Sequence, residues 1–217
     1  MNIHQTERGR DMRRYGILKQ EDYRTTEWSG GKTTQLAIWP EGAVYGDRNF
    51  GWRVSSATVE TPESDFTPLP DYDRHLMMLK GDILIRHNGG EWKSLPEGTP
   101  YFFDGADHTE SRGEAVDFNL MLRKGQFEGA MESVAGDAEH VKSVLARLAA
   151  QYETVLLYCV SGEMAVSGKA EDGAAHTCEL KAGETLVLTG PLPEQCAVCI
   201  KEGFFRGAAA AINTKKS

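Results

Sequence analysis

The sequence predicts an all-β protein made of two fused, jelly-roll-like β-barrels with a short connecting helix. Three observations carry this reading: a long internal repeat, short apolar runs bounded by turn residues, and one stretch of helical periodicity.

The repeat is the strongest of the three. Leu79-Lys80-Gly81-Asp82-Ile83-Leu84-Ile85 shares its pattern with Val160-Ser161-Gly162-Glu163-Met164-Ala165-Val166: apolar, polar, glycine, acid, three apolar residues. Further on, Leu95 to Gly105 (LPEGTPYFFDG) matches Leu180 to Gly190 (LKAGETLVLTG). The offset is 81 residues from Gly81 to Gly162 and 85 from Leu95 to Leu180, as a hairpin loop four residues longer in the second copy would give. A repeat of this length marks two related domains, not a solenoid of small units.

Each copy reads strand, glycine turn, strand, polar loop, glycine turn, strand. Leu76 to Leu79 is continuously apolar, as expected of a strand covered on both faces. Regular short strands with frequent turns favour a sandwich or barrel. The helix is expected after Asp137, an N-cap residue type, with Val141, Val144, Leu145 and Leu148 at helical spacing. Gly125, Gly129 and Gly136 interrupt the pattern just before it. The expected division is an N-terminal extension at 1–16, a first barrel at 17–125, a linker with the helix at 126–152, and a second, degenerate barrel at 153–217. Exchange of strands between the barrels is allowed.

Composition narrows the function classes. The 217 residues are 40% hydrophobic and 26% charged, with net charge −8 and a pI near 5.3. No long stretch is dominated by basic residues, and the cluster from Arg8 to Arg14 is offset by Glu7 and Asp11, so nucleic acid is excluded as a partner. No apolar run reaches the roughly 20 residues that span a bilayer. The polar N-terminus has no signal-peptide core. The expectation is a cytoplasmic chain with its four cysteines reduced.

Several segments in order resemble the HutD/Ves family: Ile17 to Ala37, Phe50 to Glu60, Phe66 to Gly81, Pro100 to Gly105 and Asp117 to Gly125. The second half matches only as a generic cupin. The resemblance implies a bicupin, RmlC-like fold and a link to histidine utilisation, with no established reaction. One departure stands out. Where the family has an Asn and three glycines after the Trp, this chain has Trp28-Ser29-Gly30-Gly31-Lys32.

Many cupins hold a divalent metal with His and Glu ligands. The motif's Glu falls on Arg74 in the first copy and Val155 in the second. The second motif's His falls on Tyr101 and Leu186. Neither copy presents the donors a divalent cation needs, so no metal and no other cofactor is expected. His75 and His87 lie nearby but do not make a site. Cys159, Cys178, Cys196 and Cys199 could supply four thiolates; reduced cysteines serving as small buried apolar groups are the plainer reading.

Alternation sorts the pocket candidates. In β-conformation, Asp117, Asn119 and Met121 share one face and Val116, Phe118, Leu120 and Leu122 the other. The polar face either lines a cavity or meets solvent, and the family resemblance favours the cavity. Arg53 and Ser55 share a face, and the planar fork of Arg53 suits a carboxylate. It could equally pair internally with Asp104 or Asp117. Arg74 could recruit an anion or make a surface salt bridge. Asp104 sits in a turn, as a ligand contact or as an Asx turn. Trp28 and Phe103 are the expected aromatic flanks. The expected ligand-binding set is therefore Trp28, Arg53, Ser55, Arg74, Phe103, Asp104, Asp117 and Asn119, with no catalytic residue assigned.

The leading expectation is a metal-independent binder of a small anionic metabolite, urocanate- or formylglutamate-like by family resemblance, with a regulatory or buffering role. The alternative is a metal-free cupin enzyme acting on a small carboxylate by acid–base chemistry, with Asp104, Asp117, His75 and Tyr101 as the available proton carriers. A homodimer is compatible with the sequence.

Overall fold

The computed structural model describes residues 15–169, 175–192 and 195–216. Most of the expected N-terminal extension, and with it the Arg8 to Arg14 cluster, lies outside the described residues. Among the described residues the chain is all-β with one α-helix. In order, the elements are β1 (Tyr15–Leu18), β2 (Arg24–Trp28), β3 (Gly31–Trp39), β4 (Trp52–Val59), β5 (Glu63–Phe66), β6 (Tyr72–Lys80), β7 (Ile83–His87) and β8 (Lys93–Leu95). There follow β9 (Tyr101–Asp104), β10 (Thr109–Arg112), β11 (Ala115–Arg123), β12 (Phe127–Gly136), α1 (Ala138–Gln151), β13 (Thr154–Lys169), β14 (Ala175–Lys181), β15 (Thr185–Thr189) and β16 (Ala197–Thr214).

Two compact units emerge, and neither is one contiguous stretch. The first comprises residues 23–133 and 212–216; the second comprises residues 15–22 and 134–211. β1 thus belongs with the second unit, where it pairs antiparallel with β15. Strands β12 and β16 each run from one unit into the other.

The first unit has two sheets. One runs β2-β3-β4-β11-β6-β9 and the other β5-β10-β7-β8. They pack face to face through Leu76, Met78 and Phe103 of the larger sheet and Ile83, Ile85 and Leu95 of the smaller. Phe50, Leu69, Tyr72 and Met121 form a second apolar group, with Tyr45 packed against it. Within it Phe50 and Tyr72 stack at 4.3 Å, and the Tyr72 hydroxyl donates to the Phe50 carbonyl at 2.8 Å. Arg123 donates to the carbonyls of Arg48 and Phe50, fixing the segment that carries Tyr45.

The second unit carries the helix. Asp137 caps it, its side chain accepting the His140 N–H at 2.9 Å. Val141, Val144, Leu145 and Leu148 are buried among Val155, Leu157, Leu186 and Phe205. The helix is thus part of this unit's core.

The repeat holds at the level of single hydrogen bonds. Gly98 N–H donates to the Met78 carbonyl at 2.8 Å and Gly183 N–H to the Cys159 carbonyl at 2.9 Å. Gly105 N–H donates to Tyr72 at 2.9 Å and Gly190 N–H to Glu153 at 3.0 Å. Acceptors are displaced by 81 residues and donors by 85, the two offsets seen in the sequence. Gly81 and Gly162 both have positive φ, and a Cβ would come within 2.7 Å of the Glu114 carbonyl oxygen or 3.0 Å of that of Phe204. The copies differ in what the glycine does. Gly81 separates β6 and β7, which join different sheets, whereas Gly162 bends the continuous β13. Thr154–Tyr158 of β13 pair with β15 and Glu163–Lys169 with β14.

Candidate functional site

Buried polar side chains concentrate in the first unit. Among the described residues, Arg53, Ser55, Ser56, Arg74, Thr109, Ser111, Asp117 and Asn119 are buried there, against Thr185 in the second. Strand register explains how the key ones meet. Cross-strand partners share a face. On β11, Asn119 lies opposite Ser55 of β4, and Met121 lies between Arg53 of β4 and Arg74 of β6. Gln35 of β3 is opposite Ser55, and Phe103 of β9 is opposite Arg74. The inner face of the larger sheet therefore presents Arg53, Ser55, Arg74, Phe103, Asp117 and Asn119 together.

Arg53 is held on three sides. Its Nε donates to Gln35 Oε1 at 3.0 Å, its Nη1 to Ser55 Oγ at 3.0 Å, and its guanidinium lies 4.4 Å from the centre of the Tyr45 ring. Arg74 is held differently. It lies 5.0 Å from the ring centres of both Phe66 and Phe103, and its Nε has no hydrogen-bond partner among the described residues. Asn119 Oδ1 is likewise buried and unpaired. Burial pulls the Arg74 guanidinium down to about 10. Asp117 accepts the Ala57 N–H at 3.2 Å. Burial pushes its carboxyl up to about 7, against the opposing pull of Arg74, the Ala57 N–H and Arg53. None of the four is fully sealed: Arg53, Arg74, Asp117 and Asn119 keep 4–5% of their surface, whereas Phe118 and Leu120 on the opposite face of β11 keep none.

An aromatic wall borders the cluster. His87 of β7 packs on Tyr101 and Phe103, its Nδ1 2.9 Å from Thr109 Oγ1 and its Nε2 3.0 Å from the Tyr101 hydroxyl. Burial lowers the His87 pKa. Both ring nitrogens are engaged, so His87 positions Tyr101 rather than offering a free base.

Two of the expected contacts lie elsewhere. Asp104 follows Phe103 on β9, so alternation turns it to the opposite face; it accepts from Lys124 Nζ at 2.5 Å and from Ala106 N–H at 2.7 Å, closing an Asx turn. Trp28 sits at the exposed end of β2, its ring over Gly30, where a Cβ would come within 2.1 Å of the indole. It lines a surface cleft of about 640 Å³ with Glu63, Asp65, Trp92, Glu110 and Arg112. His75 alternates away from Arg74 and packs edge-on against Phe102. Sequence reasoning missed Gln35, Tyr45 and Phe66. Gln35 could have been found from its place on a strand facing Ser55; Tyr45 and Phe66 come from distant segments and carry no local signal.

The interior does not fit a divalent cation. Two guanidiniums, one carboxyl and one amide supply too few anionic donors and too much positive charge. Among the described residues no three His, Cys, Asp or Glu side chains gather into a metal-sized group. All four cysteines are free thiols; Cys159 and Cys196 are buried while Cys199 is exposed.

Fold and interior together define a bicupin with a buried, cation-rich cluster in its first unit. A family model for HutD matches residues 20–203, and the chain belongs to the HutD family. Among solved structures it is similar to the conserved protein of unknown function PA5104 from Pseudomonas aeruginosa PAO1, at 21% identity and TM-score 0.71, covering 92% of this chain and 98% of that one. It is also similar to HutD from Pseudomonas fluorescens SBW25, solved in a formate condition, at 20% identity and TM-score 0.65, covering 93% and 100%. Oxalate decarboxylase from Bacillus subtilis shares the fold at 8% identity and TM-score 0.61, over 93% of this chain and 78% of that one. A comparison with curated proteins gives no match.

Proposed function

We propose that the chain binds a small anionic metabolite without a metal, between Arg53 and Arg74 of the first unit. The observation that carries this reading is Arg74: a buried guanidinium whose Nε is unpaired, beside an equally unpaired Asn119 Oδ1. Native interiors rarely leave such groups unsatisfied, and a bound anion is the group that would satisfy a guanidinium. Arg53, already oriented by Gln35 and Ser55, supplies a second positive charge. Phe66 and Phe103 exclude water from the Arg74 side, which strengthens a charge-assisted contact. Membership of the HutD family points to histidine utilisation, with a urocanate- or formylglutamate-like carboxylate as ligand and a regulatory or buffering role in the cytoplasm.

The test is a thermal-shift and calorimetric panel of formate, acetate, succinate, urocanate and formylglutamate. Saturable binding without chemical change supports a binder. A second reading, a metal-free enzyme, is favoured by the burial of Asp117, which pushes its carboxyl up to about 7, where a general acid or base works best. Conversion of any of these compounds, followed by NMR, would favour it instead.

A further inference from the structure

Asp117 is placed in an unusual way for a carboxylate beside two arginines. It projects from β11, the strand between β4 and β6, and only 4% of its surface is exposed. One carboxyl oxygen accepts the Ala57 N–H, yet among the described residues no ion pair joins it to either guanidinium. Charged and titratable groups reach this interior from each element around it: Arg53 on β4, Arg74 on β6, Tyr45 from the segment before β4, His87 on β7 and Tyr101 on β9.

We propose that the site takes a dicarboxylate together with one proton, held by Asp117, and that Asp117 thereby selects the charge of the anion accepted. This inference rests on the anion-binding reading above. With Asp117 ionised, Arg53, Arg74 and Asp117 sum to one positive charge, which a monocarboxylate balances. With Asp117 protonated they sum to two, which a dicarboxylate balances. An arriving carboxylate adds a like charge in a low-dielectric interior and disfavours the ionised aspartate. By linkage, anion and proton then assist each other. The proton is available near neutrality, since burial has already pushed the carboxyl up to about 7. His87 is a poor acceptor for it, because both its ring nitrogens are engaged.

The experiment is calorimetric titration of the full chain with acetate and with succinate at pH 6, 7 and 8, each in buffers of different ionisation enthalpy. Proton uptake per bound succinate should be small at pH 6 and should rise toward one at pH 8, with less uptake per bound acetate. Succinate affinity should fall about fivefold from pH 7 to pH 8, and acetate affinity by less. Asp117→Asn should abolish the uptake and flatten the pH dependence, while His87→Gln should keep both. Succinate binding at pH 8 without proton uptake would overturn the proposal. So would uptake that survives in Asp117→Asn or disappears in His87→Gln. If Asp117→Asn fails to fold, the wild type and His87→Gln still decide. Absence of any binding at every pH is a different outcome, which removes the anion-binding reading itself and this proposal with it.

Discussion

A guanidinium buried with an unpaired Nε carries a stability cost, and Arg74 is such a group. Replacing it with an apolar side chain of similar length removes that cost. Arg74→Met should therefore raise the melting temperature by a few degrees and at the same time weaken carboxylate binding by about 1.5–3 kcal/mol, read by scanning fluorimetry and calorimetry on one preparation. Arg53→Ala should lose a similar amount of binding but gain no stability, because it also strands Gln35 and Ser55. Arg206→Ala, an exposed position in the second unit, should leave binding unchanged. Asp117 predicts a pH dependence of folding. Its folded pKa, about 7, is above the ordinary value of 3.8, so its contribution to stability is full below pH 3.8 and is lost as pH rises through 7. Between pH 5 and pH 8 the wild type should lose on the order of 2 kcal/mol that Asp117→Asn does not lose, measured by urea unfolding at both pH values.

At the scale of elements, the helix cap offers a clean check. Asp137→Ala removes the acceptor for the His140 N–H and should cost about 1 kcal/mol in urea unfolding, with no change in anion binding. The helix was legible because capping and periodicity are local signals. Strand faces were legible for the same reason: alternation placed Asp117 with Asn119 and Arg53 with Ser55. Asp104 and Trp28 enter the expected set by their neighbourhood in the chain rather than by face, and of the two readings open for Asp104 the Asx turn is the one it forms. One step along β9 from Phe103 is enough to turn Asp104 to Lys124 and the surface. Tyr45 and Phe66 were out of reach because they meet the arginines only through tertiary folding, one from the segment before β4 and one from the opposing sheet. The pairing of β1 with β15 spans most of the chain, and no local pattern announces it.

At the scale of the molecule, the two copies of the duplicated framework differ in what they bury. The same backbone hydrogen bonds recur in both copies, yet one interior carries a buried polar cluster and the other is nearly all apolar. The buried residues along β16 of the second unit, Phe205 and Ala208 to Ala211, are all apolar. Ligand-induced stabilisation should accordingly be lost on substitution of Arg53 or Arg74, and kept on substitution of any exposed residue of the second unit.

The division of the chain also has a consequence during synthesis. The first unit needs residues 212–216: Ile212 is 2% exposed, and the Lys215 N–H bonds the Gln126 carbonyl at 2.8 Å. Those residues follow the whole of the 134–211 segment. A nascent chain that has released residues 23–133 from the ribosome still lacks the piece that completes them. The first unit is therefore complete only after all of its neighbour's residues have left the translation machinery.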